Sequence, residues 1–370
     1  MKKNILIFSN PFGYGPTGKA VSVASYISKK FKDCDVYMCG GDLVNSLKGD
    51  DQKYIKVDER SESSISNVIS TIQGPKYIIS SQNRFAIRSA KKNNIPCAFL
   101  DGLSWFWEEI PAEHFSADVV FWLNYEKIQK KVPLEYKDKV FLIGGITEKV
   151  QKVRTNKKKD GTLVYIGGCT NPLTDFPESY VRLLLELFQY SICKYNKKYN
   201  IAVDPLLLSY IEKEFPRLLK FSKTYSHAKF LKKISDSKRL ITNGGQTAAV
   251  ESLLLQVPIS FLLPINLSQK QFIKKFNECV GNESHLKWED YSTISKDFYK
   301  LSEKDAIIML DKKAKKITQN KKLYSKLLDD FTFFLEDSPN FQKQQSLLLD
   351  TNIEGAKDIC IILKDRWLLS

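Results

Sequence analysis

LITNGGQTAAVESLLLQVPISFLLPINLSQKQ, residues 240–271, is the stretch from which the fold class is read. Leu240, Ile241 and Thr242 end an apolar run that reads as a short buried strand. Asn243, Gly244 and Gly245 form a small turn. Thr247 to Leu255 reads as a helix with Glu251 near its middle. Pro258 to Leu263 is a second strand, and Pro264 opens a polar loop ending at Gln269. Strand, Gly-rich turn, helix and strand in that order make a βαβ unit of a parallel sheet. Backbone N–H groups at the turn and at the helix start, where Gln246 and Thr247 lie, lack partners within the helix. The helix dipole favours negative charge there, so the place suits an anion. In an open parallel sheet, ligands sit outside the carboxyl ends of the strands, where this turn falls. Glu251 is placed to accept hydrogen bonds from a ribose, and Gln269 to reach a sugar. An ordinary βαβ unit with a glycine turn would show the same spacing.

The rhythm extends in both directions. Apolar runs at Asn4–Phe8, Asp35–Cys39, Tyr54–Val57, Lys76–Ser80, Ile95–Leu100, Asp118–Leu123 and Val140–Gly144 read as strands, with helices between several of them. After a polar, Lys-rich stretch, a second set begins at Thr162–Ile166 and continues at Ile201–Val203 and Leu218–Phe221. Helices are expected over Ser179–Tyr195, Leu206–Glu214 and Ala228–Ser235. Glu303–Phe334 has long helical patterning, and Ala356–Leu369 is amphipathic. The chain of 370 residues is long enough for two cores. The expected division is a first domain over 1–148, a linker over 149–161, a second domain over 162–335 and a helical tail over 336–370.

Lys and Arg number 57 against 42 Asp and Glu, a formal charge of +15. The lysines are scattered, and no zinc-finger, RNP-like or basic-helix pattern accompanies them, so nucleic acid is not the expected partner. Seven Cys without C-x-x-C spacing and only three His suggest neither a disulfide framework nor a metal centre. No apolar run approaches the roughly 20 residues of a spanning helix, and the first residues do not read as a signal peptide. The expectation is a cytoplasmic, reduced protein able to touch a membrane surface.

Three other stretches hold candidate site residues. Ser9–Gly18 reads as a Gly- and Pro-rich turn before a helix over Lys19–Phe31. Gly13 to Lys19 nearly matches a P-loop, but Ala20 stands where the Mg²⁺-binding hydroxyl would be and Pro16 removes an N–H. Asp101 ends a strand ahead of an aromatic segment, Leu103 to Pro111, that contains Trp105. An Asp there fits a general base beside an acceptor pocket; a Trp-rich loop sealing the domain fits as well. His114 follows, and a lone His is more often structural. Gly167, Gly168 and Thr170 form a turn behind the first strand of the second domain.

These residues resemble the GT-B glycosyltransferases that use nucleotide-diphospho-sugars, the plant and antibiotic UDP-glycosyltransferases and the bacterial lipid-intermediate N-acetylglucosaminyltransferases among them. In that family a strand leads into a Thr-His-x-Gly turn, a helix with a Glu, a Gly-x-Pro, a strand, a Pro and an Asp-Gln. Here Thr242-Asn243-Gly244-Gly245 fills the turn, Glu251 the ribose position, Val257-Pro258 the next step and Ser268-Gln269 the last. Asn243 replaces the His and Ser268 the Asp. Thr17-Gly18 matches half of the family's Thr-Gly-Gly-His, with Lys19-Ala20 in place of Gly-His. The resemblance implies two Rossmann-like α/β domains facing a cleft. It implies a metal-independent transfer from a nucleotide-sugar, the co-substrate, to a small-molecule or lipid-linked acceptor. Gly167, Gly168, Thr170, Asn243, Gly244, Gly245, Gln246, Thr247, Glu251 and Gln269 would line the donor, with His227, Tyr225 and Ser226 beside the base. Gly15, Thr17, Gly18, Lys19 and Trp105 would face the acceptor, with Asp101 as base. A 2-epimerase of the same fold, a non-catalytic nucleotide-binding protein and a nucleic-acid-binding protein are the alternatives.

Overall fold

The computed structural model describes residues 2–12, 14–124, 131–147, 159–171, 173–195, 199–281, 285–347 and 352–367. The chain divides into two compact units, Met1–Lys149 with Asp350–Ser370, and Val150–Leu349. Gly13, positions 149–158 of the expected linker, and positions 348–351 and 368–370 of the expected tail lie outside the described residues.

Among the described residues the first unit holds seven parallel strands: β1 (Lys3–Ser9), β2 (Cys34–Gly40), β3 (Lys53–Lys56), β4 (Lys76–Ser81), β5 (Cys97–Asp101), β6 (Val119–Leu123) and β7 (Val140–Ile143). Their order is β3-β2-β1-β4-β5-β6-β7, which reverses direction between β1 and β4. Central strands covered on both faces need uninterrupted apolar runs, and Ile5–Phe8 are fully buried. The first four crossovers run through helices α1 (Tyr14–Lys30), α2 (Asp42–Leu47), α3 (Glu62–Thr71) and α4 (Arg84–Lys92). Side chains start two of them: Ser61 accepts from the Ser64 amide and Asn83 from the Ala86 amide. Helix α1 begins at Tyr14, five residues ahead of the expected start. Gly15, Thr17, Gly18 and Lys19 are therefore helical residues and not a loop. Pro16 sits in the first turn, where a missing N–H costs nothing and a fixed φ helps. A phosphate-wrapping loop over Gly13–Lys19 is thus overturned for the residues from Tyr14 onward.

Among the described residues the second unit holds five parallel strands, β8 (Thr162–Tyr165), β9 (Tyr199–Ala202), β10 (Ser222–Lys223), β11 (Arg239–Thr242) and β12 (Ile259–Phe261), in the order β10-β9-β8-β11-β12. Its helices are α5 (Glu178–Tyr195), α6 (Pro205–Glu214), α7 (His227–Asp236), α8 (Gln246–Leu254), α9 (Leu267–Val280), α10 (Glu303–Gln319), α11 (Lys321–Glu336) and α12 (Phe341–Gln345). Leu218–Phe221, expected as a strand, belongs to a 3₁₀ helix over Pro216–Phe221, and the strand is the next two residues. The long pattern after Glu303 is two helices, because the Asn320 side chain accepts from the Lys322 and Leu323 amides and starts a new helix. Arg239 is buried in β11 and donates to the carbonyls of Phe334, Leu335 and Asp337, closing the C-terminus of α11. Burial pushes its pKa down to about 10, which leaves it cationic at neutral pH.

Helix α13 (Gly355–Trp367) belongs to the first unit and packs on α1 and β7. The amide of Gly144 donates to Asp358 Oδ2 at 2.9 Å, and the Trp367 ring lies 4.9 Å from that of Tyr77. A Cβ on Gly355 would fall 2.0 Å from the Gly144 carbonyl oxygen, so only glycine permits this approach.

Candidate functional site

In the second unit the turns after β8 and β11 are adjacent because the two strands pair, Tyr165 opposite Thr242. Asn243 latches them. Its Oδ1 accepts from the Gly167 amide at 3.1 Å and its Nδ2 donates to the Gly167 carbonyl at 2.5 Å. Gln269 adds a third strut, donating from Nε2 to the same carbonyl at 3.2 Å and accepting at Oε1 from the Ile265 amide at 3.0 Å. Gly168 and Gly244 both take positive φ, +79° and +97°. Side chains there would also collide, with Gln269 Nε2 at 2.8 Å from a Cβ on Gly168 and Ile273 at 2.8 Å from one on Gly244.

Gln269 is not in a loop. It lies in the first turn of α9, which Asn266 starts by accepting from the Gln269 amide at 2.8 Å. Glu303 accepts from the Leu267 and Ser268 amides at 2.9 and 3.0 Å, filling two more places at that helix end. Burial raises the Glu303 pKa.

The start of α8 is different. Gly245 is its N-cap in extended backbone and offers no side-chain acceptor. A Cβ on Gly245 would meet nothing within 4 Å. Helix α8 thus starts without a side-chain cap from its N-cap residue and with open space at Gly245, where the dipole favours an anion. Thr242 Oγ1 and Gln246 Nε2 are buried here without a hydrogen-bond partner among the described residues. Such groups are rare and mark places where a ligand or water belongs. Thr170 is turned elsewhere: its hydroxyl donates to Asp204 Oδ2, the residue that caps α6. Glu251, 2 % exposed in α8, is joined by His227 at the start of α7, with Nε2 and Oε1 2.7 Å apart. Two residues read separately from the sequence, one for ribose and one for the base, are in contact.

In the first unit the candidates gather at the carboxyl ends of β1, β4 and β5. Asp101 is 1 % exposed, accepts from the Leu103 amide at 2.8 Å through Oδ1 and faces His114 Nδ1 at 3.1 Å through Oδ2. His114 comes from a 3₁₀ turn over Ala112–Ser116 and packs against the rings of Phe99 and Trp107. In the tautomer in which the carboxylate accepts from Nδ1–H, the ring's lone pair lies on Nε2. Lys19 is buried, and a Cβ on Gly102 would lie 3.4 Å from its Nζ and 3.3 Å from Gln82 Oε1. Gln82 has φ +58°, a cost for a side-chain-bearing residue and a mark of functional turns. Thr17 shares a buried hydrogen bond with Ser9 at 3.0 Å. Trp105 is 2 % exposed, with the buried Ser104 hydroxyl beside it lacking a hydrogen-bond partner among the described residues. Gly15 and Gly18 lie on the first turns of α1. Sequence reasoning gave no role to Gln82 or to the Ser104 hydroxyl, because a positive φ and a missing partner leave no trace in residue order.

Among the described residues no group of three His, Cys, Asp or Glu side chains converges as metal ligands do. No helix among them is long and apolar enough to cross a membrane.

No protein-family model matches the chain, and no curated protein sequence matches it either. Solved structures do. A UDP-GlcNAc 2-epimerase from Methanocaldococcus jannaschii, in complex with UDP-GlcNAc and UDP, gives a TM-score of 0.55 at 14 % identity, covering 99 % of this chain and 100 % of that one. UGT2 of Phytolacca americana, complexed with UDP-2-fluoro-glucose and pterostilbene, gives 0.52 at 13 %, covering 99 % of each chain. MurG of Acinetobacter baumannii gives 0.51 at 10 %, covering 99 % and 100 %. At these identities the likeness establishes the fold: two α/β units of the GT-B type.

Proposed function

We propose that this GT-B chain is a glycosyltransferase that takes its donor as a nucleotide-diphospho-sugar, uridine-linked, and passes the sugar to a hydroxyl of a small-molecule or lipid-linked acceptor. One observation carries the donor reading. The start of α8 lies at the carboxyl edge of the second sheet without a side-chain cap, it faces open space at Gly245, and the Asn243 latch holds a second glycine turn beside it. The diphosphate would take the N–H groups at Gln246 and Thr247, and Glu251 would take the ribose. The resemblance implies that the leaving diphosphate needs no metal.

The chemical step is a displacement at the anomeric carbon. The acceptor oxygen forms the new bond to C1 while the bond from C1 to the β-phosphate oxygen breaks. The acceptor proton must pass to a base, and within the first unit the candidate is the Asp101–His114 pair, in which the carboxylate would steady an imidazolium. The electron pair leaves on the nucleoside diphosphate, where the helix N–H groups meet the growing charge. Asp101 is thus proposed as half of a base pair and not as the base alone, since both its oxygens are engaged.

Calorimetric titration with UDP, ADP, GDP and CDP, with and without Mg²⁺, tests the donor site. Metal-independent binding of UDP alone, followed by UDP release from a UDP-sugar when an acceptor is added, is the expected result. Conversion of UDP-GlcNAc to its 2-epimer without acceptor would assign the fold's other chemistry. Binding of no nucleotide would overturn the reading.

A further inference from the structure

We propose that His227 is a positioning residue that makes the nucleotide site selective for ribose over 2′-deoxyribose. The inference rests on the nucleotide reading above and deepens it.

Glu251 sits in the sixth position of α8 and is 2 % exposed. A buried carboxylate has about four lone-pair positions to fill. Its side chain has one hydrogen-bond partner among the described residues, His227 Nε2 at 2.7 Å from Oε1. Oε2 has none. His227 is the first residue of α7, preceded by Ser226 in extended backbone, and its side chain is 28 % exposed. The imidazole therefore stands between solvent and the carboxylate, and its ring plane fixes where Oε1 points. A carboxylate rotates about its last bond, so fixing one oxygen fixes the other. Oε2 is left as an oriented acceptor with unused lone pairs. Both helices run from the carboxyl edge of the sheet, where the uncapped start of α8 lies, and Glu251 is little more than one turn from that start.

A ribose beside the α8 start offers two adjacent hydroxyl donors. A 2′-deoxyribose offers one. A polar site built around a hydroxyl discriminates strongly against a ligand that lacks it, because the buried acceptor is then left unfilled. Without His227, Oε1 loses its donor, the carboxylate is free to turn, and the preference for the diol is lost along with its orientation. His227 thus acts through Glu251 and need not touch the nucleotide base.

The experiment titrates UDP and 2′-deoxy-UDP into the full chain and into its His227→Ala and His227→Gln variants. Glutamine keeps an N–H donor of similar reach. The wild-type chain is expected to prefer UDP by about 10- to 100-fold, the range of one hydrogen bond to a charged group. His227→Ala is expected to narrow that preference to within about 3-fold, mainly by weakening UDP, and His227→Gln to retain most of it. A purely structural pair would lower the melting temperature of the Ala variant and leave the ratio of the two affinities unchanged, and that result overturns the inference. Equal binding of UDP and 2′-deoxy-UDP by the wild-type chain also overturns it, with the nucleotide site left standing. Should the Ala variant fail to fold, the wild-type ratio and the Gln variant still decide. A wild-type chain that binds neither nucleotide overturns both the inference and the reading beneath it.

Discussion

Asn243 does with one amide what two backbone segments cannot do for themselves. It fills the N–H and the carbonyl of Gly167 and so ties the two donor turns together. It is fully buried, so its replacement leaves polar backbone with no water to turn to. Asn243→Ala is expected to cost about 2–3 kcal/mol of stability, measured by denaturant unfolding, from two lost buried bonds. UDP affinity should fall by more than tenfold in the same variant. Unchanged UDP affinity would remove the latch from the site. Asp101 is the corresponding residue of the first unit. Asp101→Asn keeps the shape but no longer dictates which ring nitrogen of His114 carries the proton. The turnover number is expected to drop by about 10²–10⁴, the usual worth of general-base catalysis, with the donor dissociation constant unchanged. Full activity would exclude the Asp101–His114 pair from the chemistry.

Among the elements, the contrast between α8 and α9 is instructive. Both begin at the carboxyl edge of the second sheet. Helix α9 has orphan amides filled by Asn266 and Glu303, whereas the N-cap of α8 is Gly245, which has no side chain to offer. A protein that leaves one helix start open gives up stability for binding. Gly245→Asp makes the exchange measurable, because φ of −65° and open space admit the side chain. The new carboxylate would cap α8 and raise stability by about 0.5–1 kcal/mol. It would also occupy and repel the diphosphate, so melting temperature should rise while UDP binding is lost. Unchanged UDP binding in this variant would show that the helix start is not the anion site. The apolar runs and the Gly turns were enough to read both parallel sheets from the sequence, since fully covered strands need such runs. Element ends were harder. Gly15, Pro16 and Gly18 are turn residues by habit, yet proline is at home in a first helical turn, so α1 starts early. Leu218–Phe221 is too short an apolar run to tell strand from 3₁₀ helix, and Pro216 decided it. The His227–Glu251 and Asp101–His114 pairs were illegible because 24 and 13 residues of chain separate their members. Contacts of that kind come from the packing of whole elements and not from local pattern.

For the whole molecule, the charge of +15 is spread over many lysines. Their attraction for anions is long-ranged and screened by salt, while the α8 site acts at contact. A nucleic-acid ligand touching 6–10 phosphates would show a log–log salt slope of about −5 or steeper. UDP binding at one helix end is expected to stay shallower than about −2, read from calorimetry between 50 and 200 mM salt. A slope as steep as that of nucleic acid would point to the lysines and away from the glycine turns. The return of α13 to the first unit has a consequence during synthesis. On the ribosome, the first seven strands emerge early, but the helix that seats against α1 and β7 through Gly355 comes about 200 residues later. At about 5–20 residues per second that is a wait of about 10–40 s. The second unit, continuous in sequence, can complete itself in that interval. The unit made first is therefore the unit finished last, and its uncovered α1 face is what a chaperone would meet on the nascent chain.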